Sequence, residues 1–121
     1  PMEASFVKYG INSFLATKVL WFNQFKDLID AHDSRYSVVA NAVGYDERIG
    51  NGHTKVPGFD GKKGFGGSCF PKDTAAIANF AQGKLSVLEE VMEVNNVYRS
   101  LYELDDREKE QNITYTGSVS K

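Results

Sequence analysis

The sequence predicts a mainly α-helical fold: one small helical domain with a long first helix, a glycine-rich loop and a long last helix. Three observations carry this. Apolar residues recur between Phe6 and Ile29 mostly at intervals of three, four or seven, the period of a helix with one buried stripe. A second stripe runs from Val87 through Val91, Val94 and Tyr98 to Leu101 and Tyr102. Nowhere do two neighbouring segments alternate apolar and polar residues as a pair of half-buried strands would.

The first helix is expected over Glu3 to Ala31, with Phe6, Leu15, Val19, Phe22, Phe25 and Ile29 on its buried side. Gly10 costs such a helix about 1 kcal/mol relative to alanine, so a neighbour is expected to pack closely against it. A shorter second helix is expected over about Arg35 to Val43, stopped by Gly44, with a further turn around Asp46 to Ile49. Residues 51–67 read as loop, rich in glycine and holding Pro57. The third helix is expected from Pro71 to just before Gly83. Proline suits the first helical position because its missing N–H is an orphan there anyway, which makes Cys69 or Phe70 the N-cap. The fourth is expected from Ser86, an N-cap candidate with Glu89 three residues on. Periodicity is lost from Gln111, so 1–110 reads as the domain and 111–121 as a disordered tail.

A chain of 121 residues is long enough to bury one core, and 25% charged with 41% apolar residues is ordinary for a globular domain. A net charge of −2 argues against nucleic acid or an anionic membrane as partner. No apolar run is long enough to span a bilayer and no signal-peptide pattern opens the chain. The single cysteine cannot close an internal disulfide, which fits a reducing, cytoplasmic setting.

That cysteine lies in the most informative stretch, Gly64-Phe65-Gly66-Gly67-Ser68-Cys69-Phe70-Pro71-Lys72-Asp73. A thiol where a loop enters a helix meets unsatisfied N–H groups and the positive end of the dipole, which favour the nucleophilic thiolate. Cys69 and Asp73 are four apart and share one helical face, the layout of a nucleophile with an acid–base partner. A lone cysteine is more often a small apolar packing residue, so spacing alone leaves both readings open. Lys8 and Asn12 are also four apart, and both can donate to an oxygen on which charge develops. On spacing alone they read equally as a solvated lysine and a surface asparagine.

The decapeptide is similar to the catalytic-cysteine signature of the UDP-glucose/GDP-mannose dehydrogenase family, closest to its UDP-glucose 6-dehydrogenase branch. Further segments resemble the family in order: Glu3 to Tyr9 with Asn12, Phe14 to Ala16 and Lys18-Val19; Asp46 and Arg48 to Gly50; Val56 to Gly58 and Asp60 to Lys62; and Val91 to Asn96. The resemblance covers roughly Glu3 to Arg99, the family's central helical domain.

What the resemblance implies is an NAD-dependent, four-electron oxidation of UDP-glucose to UDP-glucuronate. Cys69 would form first a thiohemiacetal and then a thioester, with Lys8 and Asn12 at the oxyanion and Asp73 positioning water. Gly64, Phe65, Gly66 and Gly67 would approach the glucosyl unit, and Arg48 would reach a sugar in the neighbouring subunit of a homodimer. Lys72 would approach the nicotinamide cofactor. Two departures stand out. Asn23-Gln24 replaces the usual asparagine–glutamate pair, and no strand–Gly-x-Gly-x-x-Gly–helix unit for a dinucleotide is present. The chain therefore reads as the middle of such an enzyme, without activity on its own. GDP-mannose or UDP-N-acetyl sugars stay open as substrates. So do a non-catalytic helical dimerisation module and a stand-alone helical protein that has lost the chemistry.

Overall fold

The computed structural model describes residues 1–115, and the expected tail therefore lies largely outside the described residues. Five helices follow one another: α1 (Met2–Ala31), α2 (Tyr36–Tyr45), α3 (Cys69–Ala81), α4 (Ser86–Arg99) and α5 (Asp106–Glu110). No strand occurs among the described residues. The mainly helical class, the long first helix and the glycine-rich loop stand as read from the sequence.

At 1.5 Å per residue, the 30-residue α1 is about 45 Å long and acts as a spine. Its C-terminal half and α2 enclose one core cluster of Phe22, Ile29, Tyr36, Ala40 and Val56. Its middle supports a second cluster, in which Ala16 and Leu20 meet Phe65 from the loop, bordered by Phe70 of α3 and Val91, Val94 and Tyr98 of α4. The glycine-rich loop is thereby threaded between α1 and α4, and its apolar side chain Phe65 is a core residue.

Local details differ from the sequence reading, each for a physical reason. Pro71 is the third residue of α3 rather than the first; Ser68 is the N-cap, without a side-chain capping bond. Proline is tolerated there because the N–H groups of the whole first turn lack helical partners. Ser86 lies inside α4 rather than capping it, and Leu85 holds the cap position. Gly44 lies within α2, where an added Cβ would overlap the Asn51 side chain, so a close approach and not helix termination requires glycine. Gly10 has the opposite fate: no atom lies within 4 Å of a Cβ built there, so no close packing explains it.

The fourth helix stops at Arg99 although the apolar stripe continues to Leu101 and Tyr102. Residues 100–104 turn the chain back toward the loop, and Asp105 then opens α5 with a capping box. The Asp105 side chain accepts from the Glu108 N–H at 2.8 Å, and Glu108 accepts from the Asp105 N–H at 3.0 Å. Beyond α5, Ile113 is buried and the Tyr115 hydroxyl donates to Glu108 at 2.8 Å, so structure continues through the first residues after Gln111.

Candidate active site on the Cys69 loop

The thiol of Cys69 is exposed at the first residue of α3. Two aromatic rings steady the residue beside it: Phe70 stacks on His53 at 5.9 Å and meets Phe65 edge-on at 6.1 Å. One turn further on, Thr74 is buried and donates its hydroxyl back to the Phe70 carbonyl at 2.7 Å. Asp73 faces α1, where the Asn12 Nδ2 donates to its carboxylate at 2.6 Å. A carboxylate only accepts, so the Asn12 amide must turn its NH2 toward Asp73; the second amide hydrogen is left for another acceptor.

Lys8 stands one turn before Asn12, exposed, with its ammonium 5.2 Å from the Tyr9 ring. Asn12 of α1 and Asp73 of α3 are thus in direct contact, while Lys8 lies one turn before Asn12 on α1. Arg48 is engaged elsewhere. It forms a two-point ion pair with Asp46, at 3.0 Å and 2.7 Å, and borders a 310 Å³ cleft with Phe14, Lys18 and Trp21. Lys72 is exposed and donates to Gln111 Oε1 at 2.9 Å. It lies at the rim of a 350 Å³ cleft bounded by Phe65, Pro71, Asn95 and residues 111–115.

The loop preceding Cys69 is tied to three helices. The Gly64 N–H donates to Asn23 Oδ1 of α1 at 3.0 Å. The Phe65 N–H donates to Asn95 Oδ1 of α4 at 2.7 Å, and Asn95 Nδ2 returns a bond to the Phe65 carbonyl at 3.0 Å. The Gly67 N–H donates to Glu108 Oε2 of α5 at 3.3 Å. Arg99 donates to the Gly64 carbonyl at 3.1 Å and to Asp60 at 2.8 Å. Gly64 and Gly67 adopt φ of 79° and 77°, a region that glycine enters freely. Cβ atoms at Gly64 and Gly66 would overlap Asn95 and the Arg99–Glu108 pair respectively. The need for glycine at these two positions is thus already met by contacts inside the protein.

A second polar cluster fixes the approach to the loop. Asp27 of α1 accepts from Lys63 at 2.8 Å and from the Tyr98 hydroxyl at 2.5 Å. Burial raises the Asp27 carboxyl, but the two hydrogen bonds and the Lys63 charge outweigh it, so the net shift is downward. Asp60 is likewise raised by burial and lowered, on balance, by Arg99.

Asn23, Asn95, Arg99 and Glu108 do most of this bracing, and none of them was singled out as a site residue from the sequence. The Asp105-x-x-Glu108 spacing was a legible capping signal. That Glu108 would also reach Gly67 was not legible. A dinucleotide does not fit these residues: no strand precedes the loop, and its N–H groups at 64, 65 and 67 are occupied by side chains. No group of three or more His, Cys, Asp and Glu side chains that could hold a metal occurs among the described residues. No helix among them is long and apolar enough to cross a membrane.

Fold and site define a helical domain that presents a thiol on a braced loop, beside an Asn–Asp pair bridging two helices. The chain belongs to the UDP-glucose/GDP-mannose dehydrogenase family, whose central-domain model matches residues 2–97. It is 39% identical over 100 residues to the UDP-glucose 6-dehydrogenase TuaD of Bacillus subtilis, covering 80% of this chain and 21% of that protein. It is 38% identical over 97 residues to YwqF of the same organism, also a UDP-glucose 6-dehydrogenase, covering 78% of this chain and 21% of that protein. A UDP-glucose 6-dehydrogenase of Rickettsia bellii is 33% identical over 129 aligned residues, covering 99% of this chain and 29% of that protein. The chain thus spans about a fifth to under a third of these relatives.

Proposed function

We propose that these residues supply the nucleophile and its immediate partners to an NAD-dependent oxidation of UDP-glucose to UDP-glucuronate. The observation that carries this reading is the Asn12–Asp73 hydrogen bond, formed across α1 and α3 one helical turn from the exposed Cys69. Once a first hydride and a proton have left the C6 alcohol of the sugar, Cys69 attacks the resulting aldehyde carbon as thiolate; a sulfur–carbon bond forms and the carbonyl electron pair moves to oxygen. The free Asn12 amide hydrogen and the Lys8 ammonium support that oxyanion. The oxidation that follows needs a hydride acceptor, which this reading places outside the described residues, in the part of the relatives' length that the chain does not span. For Lys72 to reach such a cofactor, its bond to Gln111 must open. Once Cys69 carries a thioester, Asp73, held by Asn12, takes a proton from the attacking water. The carbon–sulfur bond then breaks and the thiolate is returned.

The test uses the gene product that contains this stretch, assayed for UDP-glucuronate. Cys69→Ala abolishes product with unchanged folding. Asp73→Asn leaves an acyl adduct on Cys69, visible as a mass increase of the proteolytic peptide that carries Cys69. Undiminished product from Cys69→Ala would sink the reading.

A second reading, pairing of two copies, has its own observation. Val7, Ile11, Phe14, Trp21 and Leu28 lie mostly seven apart along α1 and are each more than half exposed. Such a stripe on a long helix suits a partner helix. The two readings are compatible, since the thiol and this stripe involve different residues.

A further inference from the structure

We propose that Arg99 and Glu108 are positioning residues that clamp the cysteine loop, an inference resting on the reading of Cys69 as the reactive thiol. Both lie beyond the family-matched stretch, which ends at residue 97. Both are nonetheless among the most buried side chains, 3% and 1% exposed. Their contacts fall on the two ends of the glycine run. Arg99 holds the Gly64 carbonyl at 3.1 Å, and Glu108 takes the Gly67 N–H at 3.3 Å. The two side chains face each other at 3.7 Å, and Gly66 passes so close that a Cβ there would overlap both. Asp60 holds the guanidinium from one side at 2.8 Å, while Tyr115 holds the carboxylate from the other at 2.8 Å.

The physical consequence is a loop with two fixed ends and no slack. A buried guanidinium is stabilised here by two carboxylates and a carbonyl; removing Arg99 leaves the buried Glu108 carboxylate without a counter-charge, and removing Glu108 leaves the guanidinium to Asp60 alone. Cys69 follows Gly67 by two residues, so a shift of Gly67 is transmitted to the start of α3. The turn at residues 100–104, which interrupts α4's apolar stripe, is what brings Glu108 to this position. The segment after Arg99 is therefore part of the loop's support.

Hydrogen exchange at Gly64 to Cys69 and the alkylation rate of Cys69, both on the 121-residue chain, test this without requiring turnover. Glu108→Ala should speed exchange at the Gly67 amide by about tenfold and change the alkylation rate at least threefold. Glu108→Gln has one acceptor oxygen; turned toward Gly67 it keeps that bond and gives up the one to the Asp105 N–H, so it should restore part of the protection at Gly67. Should far-ultraviolet circular dichroism show Glu108→Ala unfolded, Tyr115→Phe replaces it. That variant removes one bond to the same carboxylate and should change both readouts in the same direction, about twofold. Wild-type exchange at Gly67 in the folded Glu108→Ala or Tyr115→Phe variant overturns the clamp. So does a Glu108→Gln variant no better protected than Glu108→Ala. Either failure leaves the nucleophile assignment standing, because that is decided by product formation and the Cys69 adduct.

Discussion

A methyl group at residue 66 would overlap the Arg99 guanidinium and the Glu108 carboxylate, whereas one at residue 10 would meet nothing within 4 Å. Two glycines that look alike in the sequence therefore carry opposite predictions. Gly66→Ala must displace a buried ion pair and should destabilise by about 2–3 kcal/mol. Gly10→Ala, exposed within α1, should stabilise by about 1 kcal/mol through helix propensity alone. Urea unfolding of the two variants checks both signs, and a stabilising Gly66→Ala would refute the close approach. The sequence marked 64–67 as special but not why. The atoms that demand glycine there come from residues about 30–40 positions away, and no local pattern encodes them.

The run from Asp60 into the loop depends on carboxylates bonded in their charged form. In the folded chain the Asp27 and Asp60 carboxyls titrate below their ordinary values, the unfolded reference being about 3.9. A lowered folded value means the charged form is favoured by folding. The stability so gained is present above the unfolded value and is lost as pH falls through the folded values. The melting temperature should therefore hold from pH 7 to about 5 and fall below about pH 4. Asp27→Asn should flatten part of that fall, and an unchanged profile in that variant would remove Asp27 from the account. The effect is modest because the Asp27 side chain is nearly half exposed. The first and fourth helices were legible from apolar spacing, the second and third from their glycine and proline boundaries, and α5 only as its capping box. The end of α4 was not, since the stripe ran on to Tyr102 while the buried anchor was a charged residue, Arg99, that periodicity assigns to solvent.

Taken whole, the domain buries one side of α1 against α2, α3 and α4 and leaves Val7, Ile11, Phe14, Trp21 and Leu28 uncovered on another. Pairing through this stripe predicts a concentration-dependent mass in light scattering, approaching twice 13.5 kDa at tens of micromolar. Leu28→Glu should return the chain to a monomer with unchanged helicity, because it puts a charge into an apolar contact at an exposed residue that belongs to neither core cluster. A wild-type chain that stays monomeric across that range would remove pairing through α1.

By itself the sequence determined the helical class, the spine helix, the glycine-rich loop and the cysteine-centred motif, because periodicity and local spacing are short-range properties written along the chain. It also placed Asn12 and Asp73 as separate candidates. Only the tertiary structure decided that they touch, that Lys8 stands apart from their bond, and that Arg48 pairs with Asp46. It alone decided that Asn23, Asn95, Arg99 and Glu108 hold the loop. Those outcomes depend on where distant helices cross, and crossing is fixed by the packing of Phe65, Ala16 and Leu20 rather than by any residue's own neighbours in sequence.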